Sequence, residues 1–262
     1  MNTRPSRKLS ARLALAVPLS LLLGVAAPAA LADTIKVLTS GAFKQVVLAF
    51  VPAFEAGSGH KVEVAEGTAG ALQKRVDGGE PFDVVVITPP VLKQYAEQGK
   101  VVPASVVTLA RVGAGVGMKA GTPLPEILTV EQFRQTVLNA RAVAYIDPAA
   151  GGSSGIYLQG LFERLGIAPQ VAAKAVLVKG GYSAARIVSG EADLAIQQIS
   201  EILPVAGVTL VGPLPEEIQN YTSYAGGVAA TSAHASIAQA FLSSMNGAAA
   251  ADTIRAKGML PP

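Results

Sequence analysis

Three stretches of this 262-residue chain place small residues and hydroxyls directly before an apolar run of helical period. They are Thr39-Ser40-Gly41-Ala42, Gly67-Thr68-Ala69-Gly70 and Gly151-Gly152-Ser153-Ser154-Gly155. Small residues let a ligand approach the backbone closely, and free N–H groups at a helix start carry partial positive charge. The hydroxyls of Thr39, Ser40, Thr68, Ser153 and Ser154 add further donors. One such loop alone is an ordinary helix cap. Three converging on one cleft would bind a small anion.

Side chains able to move a proton or balance a charge lie beside these loops. Glu66 ends a strand-like run just before the second loop, where a carboxylate could act as a base or simply be exposed. Lys44 and Arg75 could each balance a ligand carboxylate or lie on solvated helix faces. Lys179-Gly180-Gly181-Tyr182-Ser183 is a fourth small-residue loop that carries a cation and a phenol. Glu66, Lys44 and Tyr182 are therefore the candidates for proton transfer. Asp147-Pro148 reads as a turn, Tyr145 as either core or site, His60 as a surface turn residue, and His234 as lying near a helix start.

Other chemistries lack their residues. Zero cysteines exclude a disulfide framework, a thiolate metal site, a cysteine nucleophile and a lipid-modified cysteine anchor. Two histidines leave little for a metal centre, and neither a metal nor a cofactor is expected. G-x-S-x-G and H-E-x-x-H are absent, and no S-x-x-K stands in a supporting set. Gly113-Ala114-Gly115-Val116-Gly117 falls within a strand-like run, without the strand–helix context of a dinucleotide loop.

The elements that must hold these loops alternate between strand and helix. Ile35–Leu38, Lys61–Ala65 and Asp83–Thr88 read as strands, the last an uninterrupted β-branched run of the kind buried on both faces. Helices are expected over Ala42–Ala56, with Pro52 kinking or ending it, over Gly70–Asp77 and over Val91–Glu97. Val106–Met118 reads as a long crossing strand. Thr129 and Gln132 have the spacing of a capping box. Then follow strands at Ala142–Ile146, Val176–Val178, Leu194–Gln197 and Val208–Val211, and helices at Ser154–Leu165 and Ser183–Ser189. Tyr221–Ala230 is a second crossing, and helices over Ser236–Met245 and Ala248–Ala256 close the chain. No period of 20–50 residues recurs. The expected architecture is α/β with two lobes, 33–113 plus 226–262 and an inserted 114–225. The ligand cleft would lie between them, at the ends of the strands.

The charge tells where the protein works. The chain carries a formal net charge of +3, yet Arg4, Arg7, Lys8 and Arg12 lie within the first twelve residues with no acid among them. An uncharged apolar run over 13–27 and the small-x-small triplet Ala30-Leu31-Ala32 complete a cleavable export signal over residues 1–32. The apolar run is shorter than the ~20 residues usual for a membrane span. Without the signal, 17 Lys and Arg face 18 Asp and Glu. That balance removes the compositional case for a nucleic-acid partner. A periplasmic, near-neutral monomer is expected.

Several segments, in order along the chain, resemble one family. They are Val37-Leu38-Thr39-Ser40-Gly41-Ala42, Phe54-Glu55-x-x-x-Gly59, Gly67-Thr68-Ala69-Gly70-Ala71-Leu72, Pro81-x-Asp83, Asp147-Pro148 through Gly155-Ile156-Tyr157, and Gly190-Glu191-Ala192-Asp193. Together they resemble the periplasmic molybdate-binding protein family of ABC-transporter solute receptors. The resemblance implies a type II periplasmic-binding-protein fold with its cleft between lobes. It also implies that the ligand contacts have changed. Ala42 and Ala69 stand where the family places oxyanion-binding serines, Gln198 where it places a tyrosine, and Ser154 where an alanine backbone serves. Thr39, Ser40, Gly41, Ala42, Thr68, Ala69, Gly70, Ser153, Ser154, Gly155 and Gln198 are the expected binding positions. Tetrahedral molybdate or tungstate is disfavoured, and a planar organic anion such as a tricarboxylate fits better. The chain also resembles the enzyme branch built on this receptor scaffold, which implies cofactor-free interconversion of trans- and cis-aconitate by an allylic proton shift. The alternative is a non-catalytic receptor that hands an organic anion to an ABC permease.

Overall fold

The computed structural model describes residues 1–3 and 32–262. The expected export signal falls almost wholly on residues outside that set. In chain order the elements begin with β1 (Thr34–Ser40), α1 (Gly41–Ser58), β2 (Lys61–Gly67), α2 (Ala69–Asp77), β3 (Val84–Ile87), α3 (Pro89–Glu97) and β4 (Val107–Lys119). Next come α4 (Val130–Asn139), β5 (Val143–Ile146), α5 (Ser153–Arg164), α6 (Ala168–Ala172), β6 (Ala175–Val178), α7 (Ala185–Val188) and β7 (Leu194–Gln198). The last are α8 (Ile199–Ile202), β8 (Val208–Pro213), β9 (Tyr221–Val228), α9 (Ala235–Ser244) and α10 (Ala248–Ala256).

The strands form a mixed sheet ordered β2-β1-β3-β9-β4-β7-β5-β6, with β8 also on β4. Its pivot is β4. Val107–Gly113 pair with β9, whereas Ala114–Met118 pair with β7 and Gly115–Lys119 with β8. The pairings β1–β2, β1–β3, β5–β6 and β5–β7 are parallel, and those of β4 and β9 are antiparallel. All of β9 lies on the β3 side of that pivot.

β3 shows why a continuous apolar run was needed. Val84 and Val86 point into a core with Phe43, Val47 and Phe241, while Val85 and Ile87 point into another with Leu72, Leu92 and Tyr95. Helices therefore cover both faces, and a polar residue at any of the four positions would be buried without a partner. Beyond the pivot a separate core gathers Val116, Phe133, Val143, Leu158, Phe162 and Ile196.

Three details depart from the sequence expectation. Thr39 and Ser40 are not loop residues. Their backbones pair with Glu66 and Gly67, so β1 runs straight into α1. Pro52 does not end α1, which continues to Ser58. Pro52 lies on an exposed face where Leu48 is also exposed, so water can satisfy the carbonyl that loses its N–H partner. The short helices α6 and α8 have too few residues to show a period. The Thr129–Gln132 capping box, by contrast, is fully formed.

Candidate functional site

Four strand ends meet at one cleft. Its walls include Ser40, Gly41 and Ala42 from the β1–α1 junction, Glu66 to Ala69 from the β2–α2 junction, and Gly152 to Ser154 before and within α5. Gln198 and Glu201 after β7, Gly181 and Tyr224 complete them. The cleft has about 420 Å³ of space measured out to its mouth. It is a narrow slot.

Two helix starts face the slot uncapped. Neither Ser40 before α1 nor Gly152 before α5 supplies a side-chain cap. The first N–H groups of both helices are thus left for a ligand, with the helix dipoles behind them. Ser40 is 5% exposed, and its Oγ is buried with no protein partner. A buried hydroxyl left unpaired costs about 1–3 kcal/mol, which a bound acceptor would recover. Ser154 is similarly buried and Ser153 half-buried. The third helix start is used differently. The Thr68 Oγ1 accepts from the Ala71 N–H at 3.1 Å, and its own proton goes to the Ala150 carbonyl across the slot.

That bond belongs to a clasp. The Gly70 N–H donates to the Gly151 carbonyl at 3.1 Å, and Gln45 Nε2 donates to the Tyr182 hydroxyl at 2.6 Å. A Cβ on Gly70 would meet Gly151 Cα at 2.9 Å, so the two backbones can close only because both positions lack side chains. Thr68→Val keeps the shape but removes the cap and the clasp bond together. It is expected to destabilise by about 1–2 kcal/mol and lower Tm by about 2–8 °C on the size scaling of unfolding entropy, read by calorimetry. An unchanged Tm would mean the clasp is open in solution.

The charged groups sort by partner. Lys44 Nζ holds Glu66 Oε1 at 2.8 Å, and both side chains are about a third exposed. Glu66 Oε2 is buried and unpartnered. Arg75 turns away into a two-toothed pair with Glu80 and donates to the Glu66 carbonyl. Tyr182 receives Gln45 and has Lys44 at 5.9 Å from its ring centre. Burial pushes its phenol up, partly offset by the Gln45 bond and Lys44.

Glu201, on α8, is the group that sequence reasoning passed over. It is 6% exposed, forms no ion pair among the described residues, and lines the slot. Its Oε1 lies 2.7 Å from where a Cβ on Gly41 would stand, so the bare start of α1 makes its room. Burial pushes this carboxyl up to about 8; the Gln197 amide opposes that shift and the Glu66 carboxylate adds to it. Tyr224 beside it is pushed up further by burial, with Glu201 contributing.

Of the expected binding positions, Ser40, Gly41, Ala42, Thr68, Ala69, Ser153, Ser154 and Gln198 line the slot. Thr39 lies behind it, fully buried, with its hydroxyl donating to the Ser40 carbonyl. Gly70 serves the clasp, and Gly155 packs α5 against the end of β5. Of the three proton-transfer candidates, Glu66 lines the slot, while Lys44 and Tyr182 are not among its lining residues and bond to Glu66 and Gln45. His60 and His234 flank the Asp33 carboxylate, which is not among the lining residues. Tyr145 belongs to a core and stacks edge-on to Phe162. Among the described residues no three His, Asp or Glu side chains group to hold a metal ion, and no helix is long and apolar enough to cross a membrane.

Known proteins share both the sequence and this architecture. The family described as bacterial extracellular solute-binding protein matches residues 35–260. An aconitate isomerase from a Pseudomonas species is 32% identical over 234 residues, covering 87% of this chain and 88% of that protein. Among solved structures, the periplasmic molybdate-binding protein of Azotobacter vinelandii superposes with a TM-score of 0.73 at 22% identity, over 87% of this chain and 99% of the other. The sulfate-binding protein SubI of Mycobacterium tuberculosis gives 0.68 at 18% identity, over 87% of each chain.

Proposed function

We propose that this chain, which belongs to the bacterial extracellular solute-binding protein family, is an aconitate isomerase working in the periplasm. The observation that carries the reading is the 32% identity to an aconitate isomerase along nearly the whole length of both proteins. Fold alone would not do so, because the receptor scaffold by itself only binds. The slot's chemistry agrees with it. Ala42 and Gln198 line the slot where the resemblance expects oxyanion-binding hydroxyls, so a small tetrahedral anion loses contacts there.

A flat tricarboxylate finds its donors at the uncapped starts of α1 and α5 and at the hydroxyls of Ser40, Ser153 and Ser154. Each helix start contributes about 0.3–1 kcal/mol toward an anion, more where it is desolvated. The same N–H groups stabilise the negative charge that spreads over the allylic carbons and their carboxylates when a methylene proton leaves. The reaction moves one proton and one double bond, so it needs no electron carrier. We assign residues 33–113 plus 221–262 and 114–220 to the two lobes that the clasp draws together, moving the second boundary from the expected 225/226 because all of β9 pairs with β3 and the first half of β4, and residues 1–32 to the export signal. The protein would act as a monomer.

Purified protein mixed with trans-aconitate in deuterated water is expected to form cis-aconitate over many turnovers, followed by chromatography. Stoichiometric binding without isomer and without deuterium exchange would overturn the enzyme. That outcome would favour the second reading, a receptor handing an organic anion to an ABC permease, which the family description supports.

A further inference from the structure

Resting on the isomerase reading, we infer that Glu201 is the single acid–base group of the reaction, taking the methylene proton and returning it to the far end of the allyl system. Two carboxyl groups line the slot, and their settings differ. Glu66 has one oxygen committed to Lys44 at 2.8 Å. A substrate proton would have to compete with Lys44 for that oxygen. Glu201 has no such partner, is buried, and is held against the bare Cα of Gly41 at the start of α1, beside the N–H groups that receive a substrate carboxylate. A proton acceptor there stands next to the carbon that bears the carboxylate.

The step balances within the substrate and one side chain. The ionised Glu201 takes a proton from the methylene carbon. The electrons of that C–H bond form the new double bond, and the old double bond's electrons move to the former vinylic carbon. Glu201, now protonated, delivers the same proton there. One C–H bond breaks, another forms, and nothing is oxidised or reduced.

Burial sets the strength of this base near working pH, where general-base catalysis is most effective. The titratable groups that bear on it are Glu66 of β2, Tyr224 of β9 and Tyr182 before α7. Lys44 of α1 is tied to Glu66, and β7 and β8 carry no titratable side chain. On β4, Arg111 stacks on Tyr221, away from the slot, and Lys119 lies at the strand's far end.

The test is turnover of trans-aconitate by wild type and by Glu201→Gln, with binding measured alongside by calorimetry. Glu201→Gln is expected to lose about 10²–10⁴ in kcat, the usual size of a general-base contribution, with Kd for trans-aconitate changed less than threefold. Wild-type kcat/KM is expected to rise tenfold per pH unit up to about 8 and then level. Substrate deuterated at the methylene carbon always keeps one deuteron on the new vinylic carbon; in ordinary water, part of the abstracted deuterium is expected on the product's new methylene carbon as well. An active wild type whose Glu201→Gln variant keeps its kcat overturns Glu201 alone, whereas an inactive wild type overturns the isomerase reading with it. The wild-type profile needs no variant to fold, and a flat profile from pH 6 to 9 also overturns the assignment.

Discussion

Gly155→Ala is expected to cost about 3 kcal/mol or more of stability and to abolish ligand binding, although alanine is the better helix former. The two effects can be weighed. Alanine gains about 1 kcal/mol over glycine inside a helix. Against that, a Cβ at position 155 would lie 2.1 Å from the Ile146 carbonyl oxygen and 3.3 Å from the Pro148 nitrogen. Both obstacles are backbone, so no side chain can rotate away, and overpacking of this kind costs about 1–3 kcal/mol even where side chains can yield. The relief available is to push the first turn of α5 off the end of β5. That turn carries Ser153, Ser154 and the free N–H groups of the slot. Denaturant unfolding of the variant measures the stability, and calorimetry with trans-aconitate measures the binding. A variant as stable as wild type would mean that α5 does not pack this closely.

Gly155 also shows how the sequence can point to the right residue for another reason. As one of several small residues before a helix, it reads as a backbone approach to ligand; in the structure the close approach is to β5. The same holds for Gly70, whose neighbour is Gly151 across the slot. The alternation of strands and helices was legible because it depends on local period and on the double burial of runs such as Val84–Ile87. The hydroxyl-bearing junctions were legible for a similar reason, since each is a local strand-to-helix event. Glu201 was not. Ile199–Ile202 is one turn of helix with two apolar residues and no capping signal. What makes Glu201 distinctive is its burial against Gly41, 160 positions earlier in the chain, and no local pattern encodes that contact. One signal was present. Gln197-Gln198-Ile199-Ser200-Glu201 repeats the design of the other junctions, a buried strand running into polar residues and a helix, and it marks a fourth wall of the slot.

The position of Glu201 carries a thermodynamic signature that is separate from catalysis. Glu201→Gln is expected to be more stable than wild type at pH 8, by a few kcal/mol, and close to wild type at pH 4. The sign follows from the carboxyl's folded value of about 8 against its ordinary 4.5. Below about pH 4.5 the group is protonated in both the folded and the unfolded chain, and burial of a neutral acid costs the fold nothing extra. As pH rises from there to about 8, the unfolded chain releases this proton while the folded chain keeps it. Stability then falls by up to ~1.4 kcal/mol per pH unit. Above about 8 both states are ionised and the loss levels off. Glutamine has the shape of the neutral acid and no proton to lose, so its curve lacks this slope. Carboxylates held low by cationic partners, such as Glu80 at about 2 with Arg75 and Lys36, act in the opposite sense between pH 4.5 and 2. They are common to both proteins and cancel in the difference. Thermal or urea unfolding of the pair across pH 4–9 gives that difference directly. Parallel curves would show that Glu201 is solvated. Diverging curves would show a fold that gives up stability at working pH to hold an unpaired carboxyl in its slot, as expected where burial tunes a group for chemistry.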